Sequence, residues 1–350
     1  MKTKKINIKA DIDNKIIDDA VKVLKDGGMV AFPTETVYGL GADALNEKAV
    51  GKIFKAKGRP QDNPLIIHVS NKNIGEYVEN IPNKAKVLMD KFWPGPLTII
   101  LNKKNIIPDK TSAGLKTIGV RMPDNILALK MIEKLGRPVA APSANISGRP
   151  SPTTYERCVE DLDGKVDMII GYGKSDVGIE STIIDYSGFP PSILRPGKIT
   201  YEEIKKIDSD VIFLDESRKY LDGEKPKAPG MKYKHYAPKA PVVLVLGNKL
   251  EKEKKISELI SLNLKERNKV GILASNNLIK DLEYNKDIVF LSLGEYKDEY
   301  DIARNLFENL RKFDDKNIDI IIAEGYEEKG IYAAIMNRLK KAASYNIIEV

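Results

Sequence analysis

Lys57 and Arg59 flank a glycine in KAKGRPQDNPLIIHV, just where a helix-period segment over 46–56 gives way to a proline-bounded loop. A mobile ammonium and a planar guanidinium on one loop suit polyphosphate, the first as a point charge and the second as a fork. In TIGVRMP the alternation puts Thr117, Gly119 and Arg121 on one strand face and Ile118, Val120 and Met122 on the other. A ligand can therefore lie on the strand between a hydroxyl and a guanidinium. In PVAAPSANISGRPSPTT small residues let backbone N–H groups approach an anion. Ser143 and Asn145 add side-chain donors two residues apart, and the prolines bracketing PSAN favour a fixed shape. Thr153 and Glu156 fit a capping box for the next helix, which predicts Ser151 beside a helix N-terminus where phosphate binds readily.

Weaker signals surround these. In GGMVAFPTETVYGLGADA the hydroxyls of Thr34 and Thr36 can point to one side of an extended chain, with Glu35 between them. His68 shares a strand face with Ile66, opposite Leu65, Ile67 and Val69. Ser181 and Arg195 stand at strand ends in VGIESTIIDYS and SILRPG. Each has a plain alternative: a polar turn closing on glycine, a structural histidine, a turn serine or a solvated arginine.

What is absent narrows the chemistry. No G-x-x-x-x-G-K-[ST] loop occurs, so ATP, if bound, needs another cradle. No G-x-S-x-G elbow is present, and the one cysteine, Cys158, forms no internal disulfide and no Cys-rich zinc site. Two histidines are too few for a multi-His metal centre. The remaining inventory of Lys, Arg, Ser, Thr and Asn favours phosphoryl or nucleotidyl transfer by positioning and charge neutralisation, usually with Mg²⁺ on the polyphosphate. The net charge of +7 favours anionic ligands weakly. Only eleven of the 57 cations are arginine, so each arginine is the better candidate for a specific geometric task.

The elements that must hold these groups follow from pattern. Strand-like runs GMVAFP, PLIIHV, LTIIL, TIGVRM, PVAAP, DMIIG, STIIDY and SILRPG recur through the first two hundred residues, with helix-period segments at 13–26, 46–56, 83–91, 123–135 and 153–161. Helices do not separate every pair of strands, which predicts one α/β domain over 1–214 with a mixed, twisted sheet. Residues 215–240 are rich in proline and charge and poor in aliphatics, as a linker is, but long for a passive connection. From 241 to 350 strand and helix alternate, predicting a smaller parallel α/β domain of Rossmann-like form. It lacks G-x-G-x-x-G after its first strand, so no dinucleotide site is assigned there. Apolar runs are strand-sized and the N-terminal lysines precede no apolar stretch, which predicts a cytoplasmic protein with no membrane span.

PTETVYGLG, Lys57-Gly58-Arg59, FWPGPLT, Ser143-Ala144-Asn145, GIESTIID and ILRPG, in this order and spacing, resemble the YrdC-like threonylcarbamoyl-adenylate synthases over residues 10–205. APGMKYKHYAP and AIMNRLKKAAS resemble that family's long two-domain form. The resemblance implies a twisted open α/β sheet with a positively charged concave face and a linker folded over it. It implies synthesis of threonylcarbamoyl-AMP and pyrophosphate from L-threonine, bicarbonate or CO₂, and ATP with Mg²⁺. A separate transferase would pass the threonylcarbamoyl group to adenosine 37 of tRNA. By the same resemblance Thr36, His68, Arg121, Ala141 (through its backbone) and Ser181 fall to L-threonine. ATP or the adenylate falls to Lys57, Arg59, Asn63, Thr117, Ser143, Asn145, Ser151, Arg195 and Tyr236, with Lys57, Arg59, Ser143 and Asn145 nearest the chemistry. Mg²⁺ would be held mainly by the ATP phosphates.

The rival class is a tRNA- or RNA-binding accessory protein with a vestigial ATP site. The charge suits both, but aromatics at 7% are not interleaved with the basic loops as a stacking platform requires. A carbamoyl-transfer module like that of the larger hydrogenase-maturation proteins would need zinc-binding and acylphosphatase regions that this sequence does not contain.

Overall fold

The computed structural model describes residues 2–214, 226–231, 235–282 and 285–350. Two compact units are present: Met1–Ser147, Ser151–Asp176 and Glu180–Tyr233 form the first, and Gly148–Pro150, Val177–Ile179 and Lys234–Val350 the second.

The first unit runs β1 (Lys4–Ile8), α1 (Asn14–Lys25), β2 (Val30–Phe32), β3 (Gly39–Asp43), α2 (Glu47–Lys57), β4 (Ile66–His68), α3 (Asn83–Phe92), β5 (Leu97–Asn102), α4 (Asp109–Ser112), β6 (Thr117–Arg121), α5 (Ile126–Leu135), β7 (Val139–Ala140), α6 (Tyr155–Leu162), β8 (Met168–Tyr172), β9 (Thr182–Asp185), β10 (Ser192–Arg195), α7 (Tyr201–Lys205) and β11 (Ile212–Phe213). The strands form one mixed sheet in the order β1-β8-β2-β3-β7-β4-β6-β5-β9-β10-β11. Parallel pairs such as β4–β6 and β5–β9 alternate with antiparallel ones such as β3–β7 and β5–β6, as expected where only some connections carry a helix.

The sheet's two faces are covered differently. Leu40, Leu65, Ile67, Ile99, Leu101, Ile118 and Val120 point into the main core, which also takes Val50 and Ile53 of α2, Leu88 of α3 and Cys158 and Leu162 of α6. On the opposite face α1 and α5 lay Ile17, Leu24, Leu127 and Met131 over Val30, Phe32, Val139 and Ile170. That cover spans β8, β2 and β7. Over β4, β6, β5 and β9 the same face carries a smaller apolar group, Ile66, Ile100 and Ile183, with Leu194. It also carries the polar residues of interest, because Ile66 pairs with Gly119 and His68 with Arg121.

The second unit contains β12 (Val242–Leu246), α8 (Lys249–Lys265), β13 (Val270–Ala274), α9 (Asn276–Ile279), β14 (Ile288–Ser292), α10 (Glu299–Asp315), β15 (Ile320–Glu324), α11 (Ile331–Ala342) and β16 (Ile347–Glu349). Its five strands are all parallel, in the order β14-β13-β15-β12-β16, the expected Rossmann-like sheet. The helix between β13 and β14 is a single short turn. At the C-terminal ends of the strands lies a cavity of about 550 Å³, floored by a buried Lys252–Glu324 ion pair at 3.1 Å.

Candidate functional site

Lys57 is the last residue of α2. Gly58 then takes φ +61, and the Arg59 N–H returns to the Phe54 carbonyl at 2.9 Å. This is the αL closure that glycine makes inexpensive, and it turns Lys57 and Arg59 inward on either side. Lys57 is 1% exposed. Its Nζ donates to the carbonyls of Ser143 and Asn145 and, at 3.3 Å, to Asn145 Oδ1. Ser143 Oγ donates to the same Oδ1 at 2.6 Å. The Ser147 N–H meets the Lys57 carbonyl at 2.9 Å, so the SAN loop is tied to the helix end at both its chain ends. Arg59 donates to the carbonyls of Asn63 and Pro64, at 3.3 and 3.1 Å from Nη2. Asn63 is 2% exposed and its Oδ1 has no hydrogen-bond partner among the described residues.

Of the residues assigned to threonine, His68 and Arg121 lie on neighbouring strands, Ala141 and Ser181 stand immediately after β7 and before β9, and Thr36 lies on the turn between β2 and β3. His68 and Arg121 are partners across β4 and β6, and the Ala141 N–H donates to Ile66 O at 3.0 Å. Arg121 Nε donates to Gly95 O at 3.3 Å, while its Nη2 stands 2.7 Å from Glu35 Oε2. Glu35 lies on the turn whose Thr34 and Thr36 hydroxyls are 2.9 Å apart, on one side as the alternation requires. Thr34 Oγ1 also donates to Val37 O at 2.6 Å, so the segment is a polar turn as well. Ser181 Oγ is 2.7 Å from Thr98 Oγ1, and Arg195 holds the Ser181 carbonyl through Nε and Nη2 at 3.1 and 3.0 Å. Ser151 Oγ donates to Glu180 Oε1 at 2.6 Å, beside Ser181 in sequence. Thr117 is half-buried at the start of β6, opposite Asn102, on the face of Gly119 and Arg121.

Burial sets the protonation here. His68 is pushed down to about 3 by desolvation, with the Arg121 charge adding to it, so its imidazole is neutral at physiological pH. Its Nδ1, both Glu35 carboxylate oxygens and Arg121 Nη2 have no hydrogen-bond partner within the protein among the described residues. Such a concentration of unsatisfied buried polar atoms is uncommon in a finished core.

Two expectations need correction or extension. The helix after the SGRPSP loop is capped by Thr154, whose side chain accepts the Arg157 N–H, and not by Thr153 with Glu156. Thr153 is fully buried and points inward, with Oγ1 unpaired among the described residues. Ser151 is thus four residues ahead of α6 and set by Glu180. Glu35, Thr98, Gly95 and Glu180 were not assigned from sequence. Glu35 and Glu180 each lie between or beside assigned hydroxyls, a signal that could have found them.

Of the long linker, 215–225 and 232–234 lie outside the described residues. Ala228 is fully buried with Ile66, Ile100, Ile183 and Leu194 on the polar-bearing face, and Lys227 pairs with Asp185 at 3.0 Å. Tyr236 belongs to the second unit, its ring stacked on Phe307 at 5.0 Å with the Arg338 guanidinium 6.0 Å away. Among the described residues no group of three or more His, Cys, Asp or Glu side chains is placed to hold a metal, and no helix is long and apolar enough to cross a membrane.

The family described as telomere recombination, covering the Sua5, YciO and YrdC proteins, matches residues 22–197, and the threonylcarbamoyl-AMP synthase C-terminal domain matches 199–344. The threonylcarbamoyl-AMP synthase of Pyrococcus abyssi is 48% identical over 99% of both chains. That of Bacillus subtilis is 43% identical over 95% of this chain and 94% of its own. The crystal structure of the P. abyssi Sua5 protein complexed with L-threonine superposes with a TM-score of 0.93 at 46% identity, over 99% of this chain and all of that one. Both halves of the sequence and the whole fold thus agree in placing this chain in the two-domain threonylcarbamoyl-AMP synthase family.

Proposed function

We propose that the chain is an L-threonylcarbamoyladenylate synthase, joining L-threonine, bicarbonate or CO₂, and ATP into threonylcarbamoyl-AMP and pyrophosphate for modification of adenosine 37 in tRNA. The observation that carries this reading is the convergence of Lys57, Ser143 and Asn145 in one hydrogen-bonded group beside the strands that bear His68 and Arg121. The crystallised P. abyssi relative, a near-complete structural match, holds L-threonine.

In this reading threonine's carboxylate takes a fork from Arg121, and its hydroxyl faces Thr36, neutral His68, Ser181 and the backbone of Ala141. ATP lies over Lys57, Arg59, Asn63, Thr117, Ser143, Asn145, Ser151 and Arg195, and Tyr236 is proposed for the same ligand. The threonine carbamate is a weak, unstable nucleophile, so holding it in line with the α-phosphate supplies much of the rate. Lys57 and Arg59 neutralise charge growing on the departing pyrophosphate, at no cost of reorientation because their side chains are already fixed. No covalent enzyme intermediate is required. Mg²⁺ held by the ATP phosphates would supply further charge neutralisation.

Residues 1–214 form the catalytic domain, 215–240 a lid and 241–350 the accessory domain. Docking of Ala228 on the polar-bearing face supports the lid, which would keep water from a hydrolysable mixed anhydride. The product passes to a tRNA threonylcarbamoyl transferase, in the cytoplasm. The purified chain with ATP, Mg²⁺, bicarbonate and L-threonine should release pyrophosphate in a threonine-dependent manner. Release that ignores threonine, together with tight tRNA binding, would favour the RNA-binding accessory class instead.

A further inference from the structure

Glu35 is the charged group that the reading above leaves without a task. It is 7% exposed, and its backbone is fixed on both sides. Thr34 donates to Val37 O, and Ser175 Oγ donates to Thr34 O at 3.0 Å. Its Oε2 approaches Arg121 Nη2 to 2.7 Å. Yet neither carboxylate oxygen, nor that Nη2, makes a hydrogen bond of sound geometry within the protein among the described residues. A carboxylate and a guanidinium that serve only to fix each other frequently adopt the aligned, two-bonded fork, which recovers most of the cost of burying both. This pair forgoes it. Each partner therefore keeps hydrogen-bonding capacity for a third body carrying charges of both signs a few ångströms apart. An α-amino acid zwitterion is that body.

Resting on the threonine reading of the site, we infer that Glu35 is the specificity-determining residue for the substrate's free α-ammonium, as Arg121 is for its carboxylate. The two side chains then form a clamp that recognises the head group common to α-amino acids, leaving Thr36, His68 and Ser181 to read the side chain. Among the described residues, the nearest other carboxylates are occupied or turned elsewhere. Exposed Asp124 is close enough for the Glu35 charge to help hold its own proton on, after burial. Glu180 is engaged by the Ser151 hydroxyl. His68, neutral and cationic only in strong acid, offers no negative charge.

The test compares L-threonine with its deamino analogue 2,3-dihydroxybutanoate, which keeps carboxylate and hydroxyl and lacks only the amine. Affinities are measured by calorimetry on the full chain. A hydrogen bond to a charged group predicts that the wild type prefers threonine by about tenfold or more. Glu35→Gln should lose that factor for threonine while binding the analogue as well as the wild type does or better. Equal loss for both ligands would mean that Glu35 only positions Arg121 and would overturn the inference. Should the variant fail to fold, the wild type decides alone, because an absent preference for threonine over the analogue refutes an ammonium receptor. Binding of neither ligand by the wild type would overturn the threonine reading of the site, and the role of Glu35 with it.

Discussion

His68 gives a prediction in which burial, charge and pH combine with a definite sign. The imidazole is 4% exposed and titrates at about 3 in the folded chain, against about 6.5 when unfolded. Between those values the unfolded chain binds a proton that the folded chain refuses, so stability falls as pH is lowered through this window. From pH 7 to pH 5 the single group contributes about 1.5 units at 1.36 kcal/mol each, roughly 2 kcal/mol of lost stability. His68→Asn removes the titration while keeping a polar side chain. Trp93, the chain's one tryptophan, is buried in the main core of the first unit with its indole N–H on Leu97 O at 2.7 Å. Its fluorescence in urea therefore reports that unit. The wild type should lose about 2 kcal/mol more than His68→Asn on going from pH 7 to pH 5, with other carboxylates cancelling between the two. An equal loss in both proteins would show that the folded imidazole protonates normally, and that neither burial nor Arg121 holds it neutral.

Lys57→Ala should lower turnover by about 10²–10³ and, by leaving the Ser143 and Asn145 acceptors unpaired, lower stability by about 1–3 kcal/mol on Trp93 fluorescence in urea, so that turnover falls under conditions where the variant is still folded; a fully active variant would remove Lys57 from the chemistry. Ala228→Asp places a carboxylate among Ile66, Ile100, Ile183 and Leu194, a burial costing several kcal/mol. The segment should then undock and the adenylate should leave faster in a rapid-dilution assay, whereas an unchanged release rate would count against a lid. In the second unit, Glu324→Gln leaves Lys252 buried without its carboxylate and should cost about 3–5 kcal/mol by calorimetry. Lys252→Met combined with Glu324→Gln, which keeps an acceptor for the buried Ser275 N–H, should recover most of that.

Strong patterns were readable in the sequence, and the reasons are local. Gly58 after Lys57 marks the end of α2 because few other residues adopt φ +61 cheaply. The TIGVR alternation fixes which face of β6 bears Arg121, since the strand period admits no other answer. What was not readable depends on partners distant in sequence. β3, GLGAD, has almost no strand propensity and forms because its glycines fit against Phe32 and Val139, where a Cβ at Gly41 would come within 2.6 Å of either side chain. β1 and β16 are edge strands defined only by their neighbours β8 and β12. Thr153 and Thr154 offer the same cap chemistry one residue apart, and packing, not propensity, turned Thr153 inward. Glu35 looked like a turn residue because Arg121, its partner, is more than eighty positions away.

The most direct measurement of the central claim uses ¹³C-bicarbonate with ATP, Mg²⁺ and L-threonine, with the nucleotide products examined by mass spectrometry within seconds of mixing. The account predicts a ¹³C-labelled threonylcarbamoyl-AMP, accompanied by pyrophosphate, that vanishes when threonine is omitted and is nearly lost in Lys57→Ala. ATP consumed without any labelled adenylate would contradict it.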